Sequence, residues 1–208
     1  PRPVALEHHQ PPPRTRMKRL HIASEANGYT GWGLWCTWVA WFAARAGWAV
    51  SIDAADPGLW PIALKLADPW LTVGQPAHVD LLITTAGNHH VAPRPNGMTA
   101  TRHAIATFVE DTLIRPREVD AYTKADVVLC GSQWNTDLLR KNGVANAVTT
   151  VQGVDSRVWN RVYPTGQYAF PGRHVIFSAG KLEYRKAQDA VVAAFREHLK
   201  TDPDAILV

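Results

Sequence analysis

The sequence predicts an α/β protein in which helices cover both faces of a parallel β-sheet. Segments of strand type and helix type alternate along the chain, which is the pattern of βαβ units. The strand segments are continuously apolar, as is typical of parallel strands buried on both faces. Hydrophobic residues make up 46% of the 208 residues and charged residues 19%, so the chain can bury a sizeable core.

Apolar runs, capping residues and glycines define the elements of the first domain. Short apolar runs predict the strands, and longer segments with helix signals predict the helices. Gly47 ends the first helix in the position of a left-handed cap, Ser132 caps a later helix, and Asn142 and Gly143 end that one. In chain order the predicted elements are a strand over 18–24, a helix over 34–46, a strand over 48–53, a short helix over 61–67, strands over 79–84 and 106–110, a helix over 117–125, a strand over 127–131, a helix over 133–141 and a strand over 147–151.

The chain is predicted to hold two domains joined by an irregular linker. Residues 1–16 carry five prolines and no periodic pattern, so they are expected to be a disordered leader before Met17. Residues 17–153 predict a Rossmann-like domain, and residues 154–172, rich in Pro, Gly and Tyr, predict the linker. The start of a second, truncated Rossmann-like domain is expected over 173–208, with a strand over 175–178, a helix over 186–199 and a strand from 206.

Composition restricts the partners that the chain can have. The net charge is +4, but lysines and arginines do not form a stripe, so nucleic acid is not predicted. An anionic small molecule or an acidic membrane surface suits the same charge. Cys36 and Cys130 lie in apolar runs, which favours buried free thiols over a disulfide or a metal pair and fits a reducing compartment.

The first helix is unusually rich in tryptophan. Trp32, Trp35, Trp38 and Trp41 recur every three residues, and Arg45 interrupts the apolar run. The run is too short to span a membrane, which needs about 20 residues. A core helix behind the sheet is the favoured interpretation, and peripheral membrane contact or stacking against an acceptor is the alternative.

The glycine-rich turn before this helix is a candidate anion site. Free amides and the helix dipole point outward together at a helix N-terminus, and Gly31 and Gly33 stand there. A plain tight turn is the alternative. The spacing is not G-x-G-x-x-G and no Walker lysine follows, which argues against a dinucleotide fingerprint. Asp53 is therefore interpreted as a strand-end residue rather than a ribose ligand.

A basic cluster follows the first strand of the second domain. Gly180, Lys181 and Lys186 lead into a predicted helix, although cations are normally favoured at helix C-termini. Two lysines near an N-terminus are reasonable if an anion binds between them, because each charge-assisted bond to phosphate contributes roughly 1.5–3 kcal/mol. A solvated charged turn is the alternative.

Four motifs in the same order resemble the retaining glycosyltransferases of family 4. Residues 178–189 are similar to the family signature G-(R/K)-L-x-x-x-K-G-x-D, and residues 125–135 to its A-D-x-V-x-x-x-S-x-x-N motif. Residues 151–155 resemble its P-x-G-V-D stretch, and residues 108–112 stand where many members have a strand-end acidic residue or histidine facing the cleft. The resemblance covers about 17–208 and implies the GT-B fold, in which two Rossmann-like domains face each other across a cleft.

The resemblance implies transfer of a sugar from a nucleotide-sugar of the UDP or GDP type to an acceptor, with retention of configuration and without metal or another cofactor. Glu110 or Asp111 would be the catalytic group that faces the acceptor or the transferred sugar. The donor phosphates would be bound by Gly31, Gly33, Lys181 and Lys186. The remaining cleft-lining residues would be Ser132, Asn135, Asp155 and Glu183.

The sequence departs from the family pattern in three places. Ala187 stands where the family has glycine, which a helix start is expected to tolerate, and Gln152 replaces a proline. The acidic E-x7-E motif that binds ribose and sugar in the family would lie beyond Val208. The chain alone is therefore expected to be an incomplete enzyme.

Two other functions stay open. A non-catalytic fragment, or one half of a split glycosyltransferase, would bind the acceptor or a partner protein, and a partner chain would complete the second domain. The short second domain is expected to lean on such a chain, on the first domain or on further sequence, because pieces below about 40 residues rarely fold alone. A nucleotide-dependent epimerase or dehydrogenase is disfavoured by the missing fingerprint. The expected location is the cytoplasm, with its inner membrane surface as an alternative.

His89 and His90 are adjacent histidines that could be a metal pair. Adjacent histidines point in different directions on any regular element, and no cysteine or carboxylate stands at ligand spacing. The sequence therefore favours a polar loop over 86–101 at the cleft edge, where it would contact the acceptor.

Overall fold

The computed structural model describes residues 17–26, 30–55, 71–87, 90–91, 94–153, 170–180 and 182–208. The chain divides into two units, Pro1–Gly153 and Val154–Val208. The predicted helix over 61–67 and most of the predicted linker lie outside the described residues, as do the side chains of His89 and His90.

A parallel sheet of seven strands forms the centre of the first unit, and this confirms the predicted Rossmann-like α/β class. The strand order is β3-β2-β1-β4-β6-β7-β8, and β5 pairs with β4 in antiparallel orientation. The order reverses between β1 and β4, as in doubly wound sheets. The strands are β1 (Arg19–Ala26), β2 (Ala49–Ala55), β3 (Leu71–Val73), β4 (His78–Gly87), β5 (His90–Val91), β6 (Thr99–Thr107), β7 (Val127–Cys130) and β8 (Ala147–Thr149).

Helices cover both faces of this sheet. They are α1 (Gly31–Arg45), α2 (Pro116–Thr123) and α3 (Gln133–Lys141). Helix α1 packs on one face against Leu20, Ile22, Val50 and Ile52. The other face carries a second cluster in which side chains of α2 and α3 meet strand residues, namely Tyr122, Leu139, Ile105, Val128 and Ala147. Full burial of such a side chain stabilises the fold by roughly 1.5–3 kcal/mol.

Helix α1 begins three residues before its predicted start. Thr30 is the N-cap, and its hydroxyl accepts a hydrogen bond from the Gly33 amide at 2.9 Å. The threonine cap lets the helix begin within the glycine-rich turn. Gly47 follows the helix with φ of 85°, which agrees with the predicted left-handed ending.

The tryptophans of α1 do not form its buried stripe. The fully buried residues of the helix are small, namely Gly33, Cys36, Thr37 and Ala40. Trp32 and Trp35 are partly buried and pack at the margin of the core. Trp38 and Trp41 contact each other and Phe42, which is 62% exposed. No helix within the described ranges is long and apolar enough to cross a bilayer.

The strand predicted over 106–110 was placed too late, and the polar loop predicted over 86–101 was too long. Strand β6 runs from Thr99 to Thr107, so the loop after β4 ends before it. The first half of β6 is polar, so a prediction from apolar runs does not recognise it as a strand. Asp126 stabilises this polar half of the strand, because its carboxylate accepts hydrogen bonds from the His103 amide at 2.7 Å and from the Arg102 guanidinium at 2.8 Å.

Both cysteines are buried free thiols, as predicted. Burial raises the pKa of the Cys36 thiol to about 12, and burial also raises the pKa of Cys130. Both thiols therefore stay protonated at neutral pH and are poor nucleophiles.

The second unit contains a parallel strand pair joined through a helix. Its elements are β9 (Val175–Ile176), a 3₁₀ turn (Tyr184–Lys186), α4 (Gln188–His198) and β10 (Ile206–Leu207). The predicted strand over 175–178 and helix over 186–199 were both too long. The helix begins after Lys186 because Ala187 has left-handed backbone angles, φ 52° and ψ 36°, and separates the 3₁₀ turn from α4.

Replacing Ala187 by glycine is expected to stabilise the second unit by about 1 kcal/mol, because an L-residue with a Cβ is strained in this conformation and glycine is not. Ala187 is the one residue other than glycine with positive φ in the described part of the chain. Urea unfolding of the full chain measures the change. The matched control is Ala190→Gly inside α4, which should destabilise by about 1 kcal/mol. Loss of stability in both variants would contradict the strain at position 187.

Candidate functional site

The carboxyl edge of the central sheet brings together the predicted site residues of the first unit. Gly31 and Gly33 lie at the start of α1, which follows β1. Glu110 and Asp111 follow β6, and Ser132 begins α3 after β7. In parallel sheets with this kind of order reversal, ligands bind at the carboxyl ends of the strands. We therefore regard this edge as the candidate site.

Some of the backbone amides at the start of α1 already donate hydrogen bonds to the N-cap residue, Thr30. The Gly33 amide donates to the Thr30 hydroxyl, and the Leu34 amide donates to the Thr30 carbonyl at 2.9 Å. The Gly33 amide is thus committed to the cap rather than to a phosphate. Gly31 is exposed, and a Cβ placed on it would meet nothing within 4 Å, so the backbone at this position is open to close approach by a ligand.

An aromatic contact joins the α1 start to the loop after β6. The rings of Trp32 and Phe108 have centroids 4.7 Å apart. The Phe108 ring also lies directly against Gly131, since a Cβ added there would be 2.0 Å from the ring atom Cε1. Only glycine leaves room for this ring. The sequence alone does not indicate the contact between Phe108 and Gly131, and the available signal was a glycine directly after an apolar strand.

Asn135 supports the loop that carries the two acidic candidates. Its side chain is 4% exposed, and its Nδ2 donates to the Val109 carbonyl at 2.6 Å. The contact fixes the backbone directly before Glu110. Asp111 in turn accepts from the Leu113 amide at 2.8 Å, which shapes the turn that follows. Asn135 is thus a buried positioning residue, and Glu110 is exposed at the surface of the edge.

Ser132 acts as the N-cap of α3. Its hydroxyl accepts from the Asn135 amide at 3.2 Å, and this confirms the cap predicted from the sequence. Helices α1, α2 and α3 each follow the carboxyl end of a strand, so their N-termini lie at the same edge of the sheet. Their positive dipole ends favour anionic groups there.

A hydrogen-bonded line of a buried histidine, a buried serine and a partly exposed aspartate lies between β1 and β2. His21 Nδ1 is 2.9 Å from Ser51 Oγ, and His21 Nε2 is 3.1 Å from Asp53 Oδ1. Because a carboxylate only accepts, Nε2 carries the proton and Nδ1 accepts from Ser51. Burial lowers the pKa of His21, although the nearby Asp53 opposes this. Ser51 is 7% exposed, so its hydroxyl is inaccessible as a nucleophile and the line is a structural network.

Asp53 is a strand residue of this network. Gln75 also donates to its carboxylate at 3.0 Å, so Asp53 is held by side chains on both sides. This position agrees with the interpretation of Asp53 as a structural residue near the strand end.

In the second unit, Lys186 and Glu183 lie in the turn between β9 and α4. Lys186 Cγ is 3.8 Å from the position that a Cβ would take on Gly180, so its stem lies beside the glycine after the strand. The Lys186 amide donates to the Glu183 carbonyl at 2.9 Å, which closes the 3₁₀ turn. Asp189 occupies the first turn of α4 and complements the helix dipole. Two further predicted site residues, Lys181 and Asp155, lie outside the described residues.

Comparison with known proteins gives no family for this chain. Neither a scan against protein-family models nor a search of curated proteins finds a significant match.

Proposed function

We propose that the chain takes part in retaining transfer of a sugar from a nucleotide-sugar to an acceptor, with the first unit as the acceptor side. The observation that carries the proposal is the assembly at the carboxyl edge of the sheet. There the start of α1, the loop with Glu110 and Asp111, and the start of α3 are joined by side-chain contacts. Two of these three segments, within 108–112 and 125–135, carry the resemblance to family 4 glycosyltransferases, and the third holds Gly31 and Gly33, which the resemblance assigns to the donor phosphates.

The chemistry that the resemblance implies uses charged groups. The nucleoside diphosphate leaves with the electron pair of the broken bond to the sugar, while the acceptor oxygen bonds to the anomeric carbon and gives its proton to the departing diphosphate. Glu110 or Asp111 would face the reacting sugar or the acceptor hydroxyl. A lysine at the donor phosphates would offset the negative charge that develops on the leaving group. Lys186 is the described lysine that the motif assigns to that role.

Donor binding by the full chain tests the proposal. We expect UDP- or GDP-sugars to bind in isothermal titration calorimetry, and Lys186→Ala to weaken that binding by about 10-fold or more, since one charge-assisted bond contributes roughly 1.5–3 kcal/mol. Lys200→Ala is the matched control, because Lys200 pairs with Glu197 on the exposed surface of the same unit. It removes the same charge and should leave donor affinity unchanged.

Two results would count against the proposal. If no nucleotide-sugar binds to the chain, independent donor binding is wrong and the chain is better described as a non-catalytic acceptor- or partner-binding protein. If a donor binds equally well to wild type and to Lys186→Ala, the phosphate role of Lys186 is wrong.

A further inference from the structure

Three metal-ligating side chains converge in the second unit. They are His174, which precedes β9, His198, which ends α4, and Asp202, in the turn after α4. One ligand atom from each lies within 4.8 Å of the other two. The two imidazole rings are 5.6 Å apart and nearly perpendicular.

The distances are close to those that a tetrahedral zinc ion needs. Zinc binds histidine nitrogen and carboxylate oxygen at about 2.0–2.2 Å, so neighbouring ligand atoms lie roughly 3.3–3.6 Å apart. Asp202 Oδ2 is 3.0 Å from His174 Nδ1 and 3.6 Å from His198 Nε2. These two distances are within a few tenths of an ångström of the tetrahedral values, and the two histidine nitrogens lie within 4.8 Å of each other.

The ring of His198 also points to a ligand. Among the described residues its Nε2 is shielded from solvent and has no hydrogen-bond partner, since the Asp202 carboxylate at 3.6 Å lies beyond hydrogen-bond distance. A buried ring nitrogen without a partner costs free energy unless another group satisfies it. The same ring lines an apolar cleft formed with Ile176, Val191, Ala194 and Phe195. A metal bound to Nε2 would satisfy this nitrogen.

A metal would also join two segments of this unit that share few buried contacts in the described residues. Ala205 is the one buried hydrophobic residue there, and no residue of α4 is buried. The binding free energy of a structural metal contributes to folding. A bridge from His174 to His198 and Asp202 would tie the start of β9 to the end of α4.

We propose that His174, His198 and Asp202 form a site for a divalent transition ion of the zinc type. Two imidazoles and a carboxylate are three of the four ligands of a tetrahedral site, and water or a further group would take the fourth position. The site is independent of the proposed sugar transfer, because none of its residues belongs to the glycosyltransferase motifs.

Zinc titration of the chelator-treated full chain tests this site. We expect one zinc ion per chain in calorimetry, with a zinc-dependent rise in the thermal unfolding temperature. Asp202→Asn and His174→Ala should each weaken binding by about 100-fold or more, because even residues that only orient a ligand change metal affinity 10–100-fold. Asp204→Asn, an exposed carboxylate two residues from Asp202, should bind zinc as wild type does.

His174→Ala keeps the test decisive if Asp202→Asn fails to fold, because the His174 side chain is 61% exposed. Circular dichroism of the metal-free variants checks that they fold. Absence of zinc binding to the wild-type chain would overturn the proposal. So would zinc binding that keeps its affinity in folded His174→Ala, since the ion would then be held by histidines elsewhere in the sequence.

Discussion

Gly131→Ala is expected to lower the free energy of unfolding by about 3 kcal/mol and to disturb the candidate site. The new Cβ would lie 2.0 Å from Phe108 Cε1, so the ring must move. That movement breaks the contact between Phe108 and Trp32 and shifts the backbone before Glu110 and Asp111. Urea unfolding measures the free energy of unfolding, and isothermal titration calorimetry with a nucleotide-sugar measures the donor affinity.

The double variant Gly131→Ala with Phe108→Ala distinguishes a steric clash with the Phe108 ring from a backbone requirement for glycine. Once the large ring is gone, Gly131→Ala should cost less than about 0.5 kcal/mol, because the two positions are coupled through one contact. An equally large cost with and without the Phe108 ring would show that the steric argument is wrong and that glycine is needed for its backbone.

Acid is expected to destabilise the first unit by about 3 kcal/mol between pH 7 and pH 4 through His103 alone. Burial, aided by the charge of Arg94, lowers the pKa of His103 from 6.5 to about 4. Between these two pKa values His103 is protonated in the unfolded chain and mostly neutral in the folded chain. The free energy of unfolding therefore falls as the pH falls. His21, whose pKa burial also lowers, acts in the same direction.

His103→Gln is the control that isolates this contribution. Arg94 Nε donates to His103 Nδ1 at 3.2 Å, so Nε2 carries the proton and donates to Thr84 Oγ1 at 3.0 Å. A glutamine amide offers an acceptor and a donor but does not titrate. Urea unfolding at pH 7 and pH 4 should show a loss of stability about 3 kcal/mol smaller in the variant. Equal losses in both proteins would mean that His103 is not the buried neutral base described above.

Helix α3 and strand β6 show which elements the sequence can predict and which it cannot. Helix α3 could be predicted residue for residue, because Ser132 caps it and Asn142 and Gly143 end it within the same short stretch. Strand β6 could not, because Arg102 and His103 are polar and their partners, Asp126 and Thr84, come from other elements. Local signals predict elements whose stabilising contacts are local.

Some features of the candidate site could also be predicted from the sequence, and others are visible only in the structure. Sequence motifs selected Glu110, Asp111 and Ser132, and parallel strands then bring their carboxyl ends to one edge. The contact of Phe108 with Gly131 and the hydrogen bond from the Asn135 side chain to the Val109 carbonyl are visible only in the folded chain, since each joins residues more than 20 positions apart. The sequence therefore indicated candidate residues for the proposed chemistry, and the structure showed what holds their loop in place.

The sequence by itself determined the α/β class, the parallel sheet and the buried thiols, because these depend on apolar runs and their alternation with helices. The tertiary structure alone decided the left-handed backbone of Ala187, the small-residue stripe of α1 and the meeting of His174, His198 and Asp202. The last two of these depend on packing between distant segments, and Ala187 lies where a 3₁₀ turn meets α4. No local pattern records such packing, because the free energy that fixes it arises only when the segments are in contact.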